Sequence, residues 1–169
     1  MQQNKLVKLN IGSGNRPFSG AINIDLYSDR ADIRADARYL PFPDNSVDTL
    51  ESHHLIEHLN YGDACQALQE WHRVLKPKGK IMVSCPDMKR VILHLVEKEF
   101  WNVPILWHGY MIKIYGSDEP GMRHVNGFCS QYLSVMLIDA GFKDVYTITD
   151  DTRRPTPSLY GIGEKGDAE

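Results

Sequence analysis

Two glycines, Gly12 and Gly14, directly follow an apolar run at residues 6–11. The run is too short for a helix and is bounded by turn residues, so it predicts a buried strand. Glycines at the end of such a strand permit positive φ and let a ligand approach the backbone without meeting a Cβ. This arrangement suits nucleotide binding, although the same pattern often forms an ordinary turn.

An aspartate, Asp25, stands near the end of the next predicted strand, at residues 21–26. Ligands of an open parallel sheet bind outside the carboxyl ends of the strands, so Asp25 is expected in the same crevice as the glycines. A carboxylate there can accept hydrogen bonds from both hydroxyls of a ribose; the alternative is a turn or helix-cap aspartate. The short interval after Gly14 leaves little room for a crossover helix, so we expect a loop or a single turn.

A second aspartate, Asp36, follows a predicted short strand at residues 32–35 and precedes Leu40 and Phe42. A carboxylate in this position can bind the amino group of an adenine while apolar side chains cover the ring. The alternative is an ordinary loop packed by Leu40 and Phe42.

Two histidines, His54 and His58, follow the next predicted strand, at residues 47–52. On a helix they would share a face, which raises the question of metal binding. The sequence has no obvious third ligand at a familiar spacing, and Glu57 does not complete an HExxH motif. No metal site is therefore predicted.

The chain has 169 residues and a formal net charge of -3, with no block of lysine or arginine. This length fits one domain, and the charge pattern gives no footprint for nucleic acid, so a nucleic-acid partner is not expected. No stretch resembles a signal peptide or a membrane span, so we expect a cytoplasmic protein with no membrane partner. The three cysteines are odd in number and widely spaced, which argues against disulfides and a zinc site.

The remaining elements alternate in type. Helices are predicted at residues 61–76, 88–100 and 130–140, and strands at 80–85, 142–149 and 158–163. Together they predict an α/β, Rossmann-like, mainly parallel sheet with helices on both faces and an antiparallel C-terminal strand pair, whose first crossover helix is shortened or missing. Between the two later helices lie an aromatic-rich stretch, with Trp101, Trp107, Tyr110 and Tyr115, and a glycine-rich loop at residues 117–128. The aromatic residues either build a substrate pocket or pack the core.

Several phrases of this sequence resemble the class I S-adenosylmethionine-dependent methyltransferases of the small methyltransferase-domain type. They are LNIGSGN at residues 9–15, DARYLPFPDNSVD at 36–48, ESHHLIEHL at 51–59, EWHRVLKPKGKIMVSCPD at 70–87 and AGFKDV at 140–145. Two departures stand out: Arg16 occupies the place of a third glycine, and the first crossover helix is nearly absent. The second departure would uncover one flank of the cofactor pocket, which a partner subunit, a second copy or the substrate would then close.

The resemblance implies a single methyltransferase-like domain over residues 1–169. Residues 1–87 would bind S-adenosyl-L-methionine, residues 88–130 would form a substrate or lid insertion, and residues 131–169 a C-terminal helix and strand pair. S-adenosyl-L-homocysteine would be the product. The implied cofactor contacts are Gly12, Ser13, Gly14 and Asn15 at the methionine moiety, Asp25 at the ribose, Asp36, Ala37 and Arg38 at the adenine, Ser52 and His53 beside the sulfonium, and also Asn10 and Leu26.

Methyl transfer is an in-line displacement, so the protein mainly aligns the acceptor and removes its proton if it has one. His54 and His124 are the predicted general bases, because a histidine titrates near neutrality. The predicted acceptor is a small molecule or a glycan, methylated on oxygen. Three alternatives remain: a non-catalytic cofactor-binding or activating subunit, an RNA methyltransferase, and a dehydrogenase, which would need the missing third glycine.

Overall fold

The computed structural model describes residues 6–97, 103–150 and 157–167. Its seven strands form one sheet in the order β3-β2-β1-β4-β5-β7-β6. The strands are β1 (Lys8–Ile11), β2 (Ile22–Asp25), β3 (Ile33–Arg34), β4 (Val47–His53), β5 (Leu75–Pro86), β6 (Phe142–Asp150) and β7 (Ser158–Lys165). The helices are α1 (Tyr61–Val74), α2 (Met88–Glu97), α3 (Pro104–Tyr115) and α4 (Ser130–Asp139), and a 3₁₀ turn occupies Ile56–His58.

The first five strands are mutually parallel, and β7 pairs antiparallel with both β5 and β6. The predicted α/β fold, with its mainly parallel sheet and antiparallel C-terminal pair, is therefore confirmed. The carboxyl ends of β1, β2, β4 and β5 consequently meet at one edge of the sheet. This edge is where ligands of such sheets bind.

Helix α1 is capped by Asn60, whose side chain accepts a hydrogen bond from the backbone N–H of Asp63. It ends two residues before the predicted position because Leu75 already belongs to β5. Its buried side chains recur at helical spacing and include Ala64, Ala67, Leu68, Trp71 and Val74.

Helices α1 and α4 pack on the same face of the sheet. A Cβ on Gly161 of β7 would lie 2.8 Å from Leu133 and 2.9 Å from Leu137, so α4 rests directly on that strand. On the same side, the ring of His72 at the end of α1 contacts the edge of Phe142, with ring centroids 5.1 Å apart. Helices α2 and α3 lie in the insertion between β5 and α4 and contact each other.

The connection from β1 to β2 contains no helix, as predicted. It is held by Asn23 of β2, whose side-chain oxygen accepts hydrogen bonds from Phe18 N at 2.7 Å and Asn10 Nδ2 at 2.9 Å. The amide of Asn23 donates in turn to Asp32 Oδ2 at 2.9 Å. The backbone N–H of Asn23 also donates to Asp32 Oδ2, at 2.8 Å, and this bond, together with the one from the side-chain amide, lowers the pKa of Asp32 below its ordinary value. A polar network thus organises the place where a crossover helix normally packs.

Part of the aromatic-rich stretch forms helix α3. Tyr110 is buried, whereas Trp107 and Tyr115 are exposed. Trp101 and the predicted last residues of α2 lie outside the described residues. None of the described helices is long and apolar enough to cross a bilayer.

Candidate functional site

The turn after β1 has the geometry that its glycines suggest. Gly12 and Gly14 have φ of 70° and 50°, and the backbone N–H groups of Gly12 and Ser13 donate to Ile24 O at 2.8 and 3.1 Å. A Cβ on Gly12 would lie 2.8 Å from the Cβ of Leu55, whereas no atom lies within 4 Å of the Cβ position of Gly14. The first glycine is thus required by packing, and the second adjoins open space.

Asp25 ties this turn to the turn after β2. Its Oδ2 accepts a hydrogen bond from Gly14 N, and its Oδ1 accepts from Tyr27 N and Ser28 N, all at 2.8 Å. Two carboxylate oxygens offer about four acceptor positions. Asp25 therefore holds the two turns together and retains capacity for about one further donor such as a ribose hydroxyl.

Two predicted cofactor contacts lie in the same turns and are partly engaged there. Asn15 Oδ1 accepts from Ser28 Oγ at 3.3 Å. Leu26 is exposed, and its carbonyl accepts from Arg34 Nε at 2.8 Å. Asn10 is buried inside the Asn23 network and donates its amide there.

Asp36 and Arg38 form a bidentate ion pair. Arg38 Nε lies 3.0 Å from Asp36 Oδ1, and Arg38 Nη2 lies 2.7 Å from Asp36 Oδ2. Arg38 also reaches Asp63 of α1 at 2.6 Å. The hydrogen bonds from Arg38 hold the pKa of Asp36 below its ordinary value, so this carboxylate is ionised at neutral pH. The adjacent Ala37 carbonyl accepts from Trp71 Nε1 at 2.9 Å, which anchors the predicted adenine segment to α1.

Ser13 and Ser52 carry buried hydroxyls with no hydrogen-bond partner among the described residues. Ser52 is paired in register with Ile11, so both serines stand near the carboxyl ends of the adjacent strands β1 and β4. A buried hydroxyl without a partner costs about 1–3 kcal/mol. A polar ligand at this edge would relieve that cost, so the two serines fit a bound cofactor better than an empty turn.

Two histidines at the carboxyl end of β4, His53 and His54, have different surroundings. His53 Nδ1 lies 3.0 Å from Ser84 Oγ, its Nε2 lies 3.2 Å from Glu51, and its ring centroid is 5.3 Å from that of Phe18. His54 has a left-handed backbone with φ of 52°, and its Nδ1 lies 3.0 Å from Glu57 Oε1. Such strain in a non-glycine residue costs about 1–3 kcal/mol and is concentrated at functional sites.

His124 approaches this group from the loop before α4. Its Nδ1 lies 2.8 Å from Lys113 O, and its ring meets His58 edge-on with centroids 4.8 Å apart. The loop is fixed there because Val125 N donates to Glu57 O at 2.9 Å. Burial lowers the pKa of His124 despite its bond to the Lys113 carbonyl, so the ring is neutral at physiological pH.

The same loop also reaches the turn after β2. Gly121 has φ of 77°, and a Cβ there would lie 2.6 Å from the ring of Tyr27. Residues 116–127 therefore extend from the 3₁₀ turn after β4 to Tyr27 after β2. Between this loop and His58 is a cavity of about 310 Å³, whose lining includes Asp118 and Arg123.

The structure thus brings His54 and His124 together around Glu57, a residue that sequence reasoning treated only as part of a failed motif. The helical spacing considered for His54 and His58 does not apply, because residues 56–58 form a 3₁₀ turn. The available signal was an acidic residue within the otherwise apolar and histidine-rich phrase HHLIEHL. Its burial depends on contacts with a loop more than 60 residues away and has no local signature.

Comparison with known proteins agrees with this architecture. Residues 19–83 match the family model described as a methyltransferase domain. The chain is 32% identical over 119 residues to a ubiquinone/menaquinone biosynthesis C-methyltransferase of Desulfotalea psychrophila, a match covering 66% of this chain and 46% of that protein. It is 32% identical to a mitochondrial 2-methoxy-6-polyprenyl-1,4-benzoquinol methylase of Bos taurus, covering 67% and 34%. The chain spans less than half the length of both relatives.

Solved structures share the fold over nearly the whole chain. A SAM-dependent methyltransferase of Methanosarcina mazei has a TM-score of 0.68 at 17% identity, covering 98% of this chain and 95% of that one. A protein described as a putative methyltransferase, in complex with the Haloferax volcanii Trm112 methyltransferase activator, has a TM-score of 0.62 at 15% identity, covering 98% and 84%. Residues 19–83 therefore match a methyltransferase domain, and the chain has the fold of solved SAM-dependent methyltransferases.

Proposed function

We propose that this chain transfers a methyl group from S-adenosyl-L-methionine to a hydroxyl-bearing small-molecule acceptor. The observation that carries the proposal is the edge of β1 and β4. There an open glycine turn, held by Asp25, adjoins the two buried hydroxyls of Ser13 and Ser52 that lack partners among the described residues. The cofactor, when bound, supplies a methyl group already activated as a sulfonium.

Each residue of this edge has a role that follows from its contacts. Gly12 and Gly14 would let the methionine moiety approach the backbone, and Ser13 and Ser52 would donate hydrogen bonds to its polar groups. Asp25 would accept from the ribose with its remaining capacity. The adenine would lie against Asp36, Ala37 and Arg38. The same site would be bordered by Asn15, Leu26 and His53.

His54 is the general base that the contacts favour. Its Nδ1 faces Glu57, so the N–H is directed to the carboxylate and Nε2 keeps the lone pair that accepts a proton. The carboxylate would then stabilise the imidazolium that forms, as in a nucleophile–histidine–acid arrangement. His124 is the second candidate, because its lowered pKa keeps it neutral.

The named relatives act in quinone biosynthesis and one is a C-methyltransferase, which widens the acceptor proposal beyond oxygen. Loss of a hydroxyl proton activates both an alcohol oxygen and the ring carbon of a phenol. A histidine base therefore serves either acceptor atom. A glycan hydroxyl and a hydroxylated aromatic ring are the two acceptor classes to compare.

The proposal is tested first by calorimetric titration with S-adenosyl-L-methionine and S-adenosyl-L-homocysteine, with NAD as the control. We expect dissociation constants on the order of micromolar for the sulfur compounds, weakened about 10–100-fold in Asp25→Asn, since a hydrogen bond to a charged group contributes about 1.5–3 kcal/mol. Asp29→Asn, an exposed aspartate of the neighbouring turn, is the matched control and should bind as the wild type does. Equal affinity for NAD, or no binding of either sulfur compound, would refute the cofactor assignment.

Turnover is then followed as release of S-adenosyl-L-homocysteine with hydroxylated aromatics and glycans as acceptors. His54→Gln should lower kcat by about 10²–10⁴-fold, the usual contribution of a general base, while cofactor affinity stays unchanged. Unchanged kcat in His54→Gln with a productive acceptor would show that another group takes the proton.

A further inference from the structure

Glu57, His58 and His124 converge on one point beside the proposed methyl-transfer site. One carboxylate oxygen and one ring nitrogen from each histidine all lie within 4.8 Å of one another. Glu57 and His58 come from the 3₁₀ turn after β4, and His124 comes from the loop before α4.

The carboxylate of Glu57 is buried and only partly hydrogen-bonded among the described residues. Glu57 is 1% exposed, and its Oε2 has no hydrogen-bond partner among the described residues. Within the described part of the chain, its Oε1 is hydrogen-bonded to the Nδ1 of His54 alone. An ionised carboxylate removed from water is costly unless it is paired or coordinates a metal.

The two histidines are oriented as metal ligands usually are. His58 Nδ1 lies 3.0 Å from Arg123 O, and His124 Nδ1 lies 2.8 Å from Lys113 O. A carbonyl can only accept, so each Nδ1 carries the proton and each Nε2 keeps its lone pair. Ligating histidines typically donate their second ring N–H to such a carbonyl, which fixes the tautomer and the ring orientation.

The two Nε2 lone pairs and the buried carboxylate are all electron-pair donors, and no N–H or O–H group of the cluster lies between them. A cation would interact favourably with all three. We propose that Glu57, His58 and His124 bind a divalent transition-metal ion, with Zn²⁺ as the probe. Two histidines and one carboxylate are an established donor set for zinc, with bonds of about 2.0–2.2 Å. Closing the donors onto one ion requires a shift of about an ångström or less.

The site has a route to solvent and a structural consequence. His58 lines the cavity of about 310 Å³ beside residues 116–127, which gives an ion access. A bound ion would fasten residues 116–127 to the turn after β4. The inference does not rest on cofactor binding, because none of its three ligands is assigned to the cofactor. It commits His124 to the metal and leaves His54, paired with Glu57 Oε1, as the general base.

No metal site was predicted from the sequence, because His54 and His58 have no third ligand at a familiar spacing. His124 lies far from His58 along the chain and belongs to no spacing motif. Only the docking of the loop, through Val125 N and Asn126 N on Glu57 O, brings it within reach.

The test is a calorimetric titration of the chelator-treated full chain with Zn²⁺. We expect one equivalent to bind, and His58→Ala and His124→Ala each to weaken binding by about 100-fold or more, since loss of an outer hydrogen-bond partner alone costs about 10–100-fold. His108→Ala is the matched control, because His108 is an exposed histidine on α3 and should not contribute. Binding that is substoichiometric, or that His108→Ala reduces as strongly, would overturn the site.

Glu57→Gln separates coordination from folding. The substitution keeps the shape and removes a buried charge, so the metal-free variant should melt no lower than the metal-free wild type. Zn²⁺ should raise the Tm of the wild type and leave that of Glu57→Gln unchanged. An equal Zn²⁺-induced rise in both proteins would contradict coordination by Glu57. Visible absorption of the Co²⁺-loaded wild type, lost in His58→Ala, reports ligation directly.

Discussion

The two faces of the sheet are built differently, although they share every strand. On the face toward α1 and α4, Leu50, Ile81 and Leu159 are almost completely buried. On the opposite face, Met82 is half-buried and Tyr146 is 53% exposed. Side chains alternate between the faces along each strand, so neighbours in sequence have opposite environments.

This difference reflects how the strands are connected. The step from β4 to β5 uses the full helix α1, whereas the step from β1 to β2 uses a loop organised by Asn23. The cofactor edge needs only the positions of the strand ends and the turns that follow them. Hydrogen bonds accepted by Asp25 and Asn23 hold those turns, so the binding edge keeps its shape although the connection from β1 to β2 is a loop.

The largest expected effect is a difference in the free energy of unfolding between variants of two adjacent residues of β5. Ile81→Ala removes a fully buried side chain from the helix-covered face and should lower the free energy of unfolding by about 2–5 kcal/mol. Met82→Ala removes a half-buried side chain from the other face and should cost about 1 kcal/mol or less. Urea denaturation of both variants measures the difference. Equal losses would mean that both faces are covered in solution, for example by a second copy of the chain.

A smaller effect is expected in the loop that stands in place of a crossover helix. Asn23→Ala leaves Phe18 N and Asn10 Nδ2 without their acceptor and removes the side-chain hydrogen bond to Asp32, while the bond from the backbone N–H of residue 23 to Asp32 remains. The substitution should lower the free energy of unfolding by about 1–3 kcal/mol. Because the same turn adjoins the cofactor edge, S-adenosyl-L-methionine affinity should fall as well. A loss below about 0.5 kcal/mol would show that the network does not hold the loop.

Much of this organisation is predictable from local sequence signals. The glycine turn, the position of Asp25, the short first crossover and α1 follow from apolar periodicity and turn residues. The methyltransferase resemblance was inferred from the motifs, and the match of residues 19–83 to a methyltransferase-domain model agrees with it. The methyl acceptor cannot be predicted from the motifs, because the insertion after β5 contains no sequence motif typical of a particular substrate.

Other features depend on tertiary contacts. Helix α3 is apolar almost throughout, so its sequence PILWHGYMIKIY shows no clear polar face. The guanidinium of Arg38, which pairs with Asp36, is also held by Asp63 on α1. The cluster at Glu57 needs His124 from a loop whose path is set by distant hydrogen bonds. A strained His54 likewise follows from the turn it occupies and not from its residue type.

The smallest expected effect is a pH dependence confined to the helix-covered face. His72 is partly buried at the end of α1 against Phe142, and this burial, aided by the charge of Lys165, lowers its pKa below the ordinary 6.5. Below about pH 6.5 the unfolded chain binds a proton that folded His72 resists, so stability should fall as the pH drops from 7 toward the folded pKa. His72→Gln should remove this part of the slope, which is small because the ring is partly exposed. Urea denaturation of both proteins between pH 5 and pH 8 measures it, and parallel curves would show that protonation of His72 is not linked to folding.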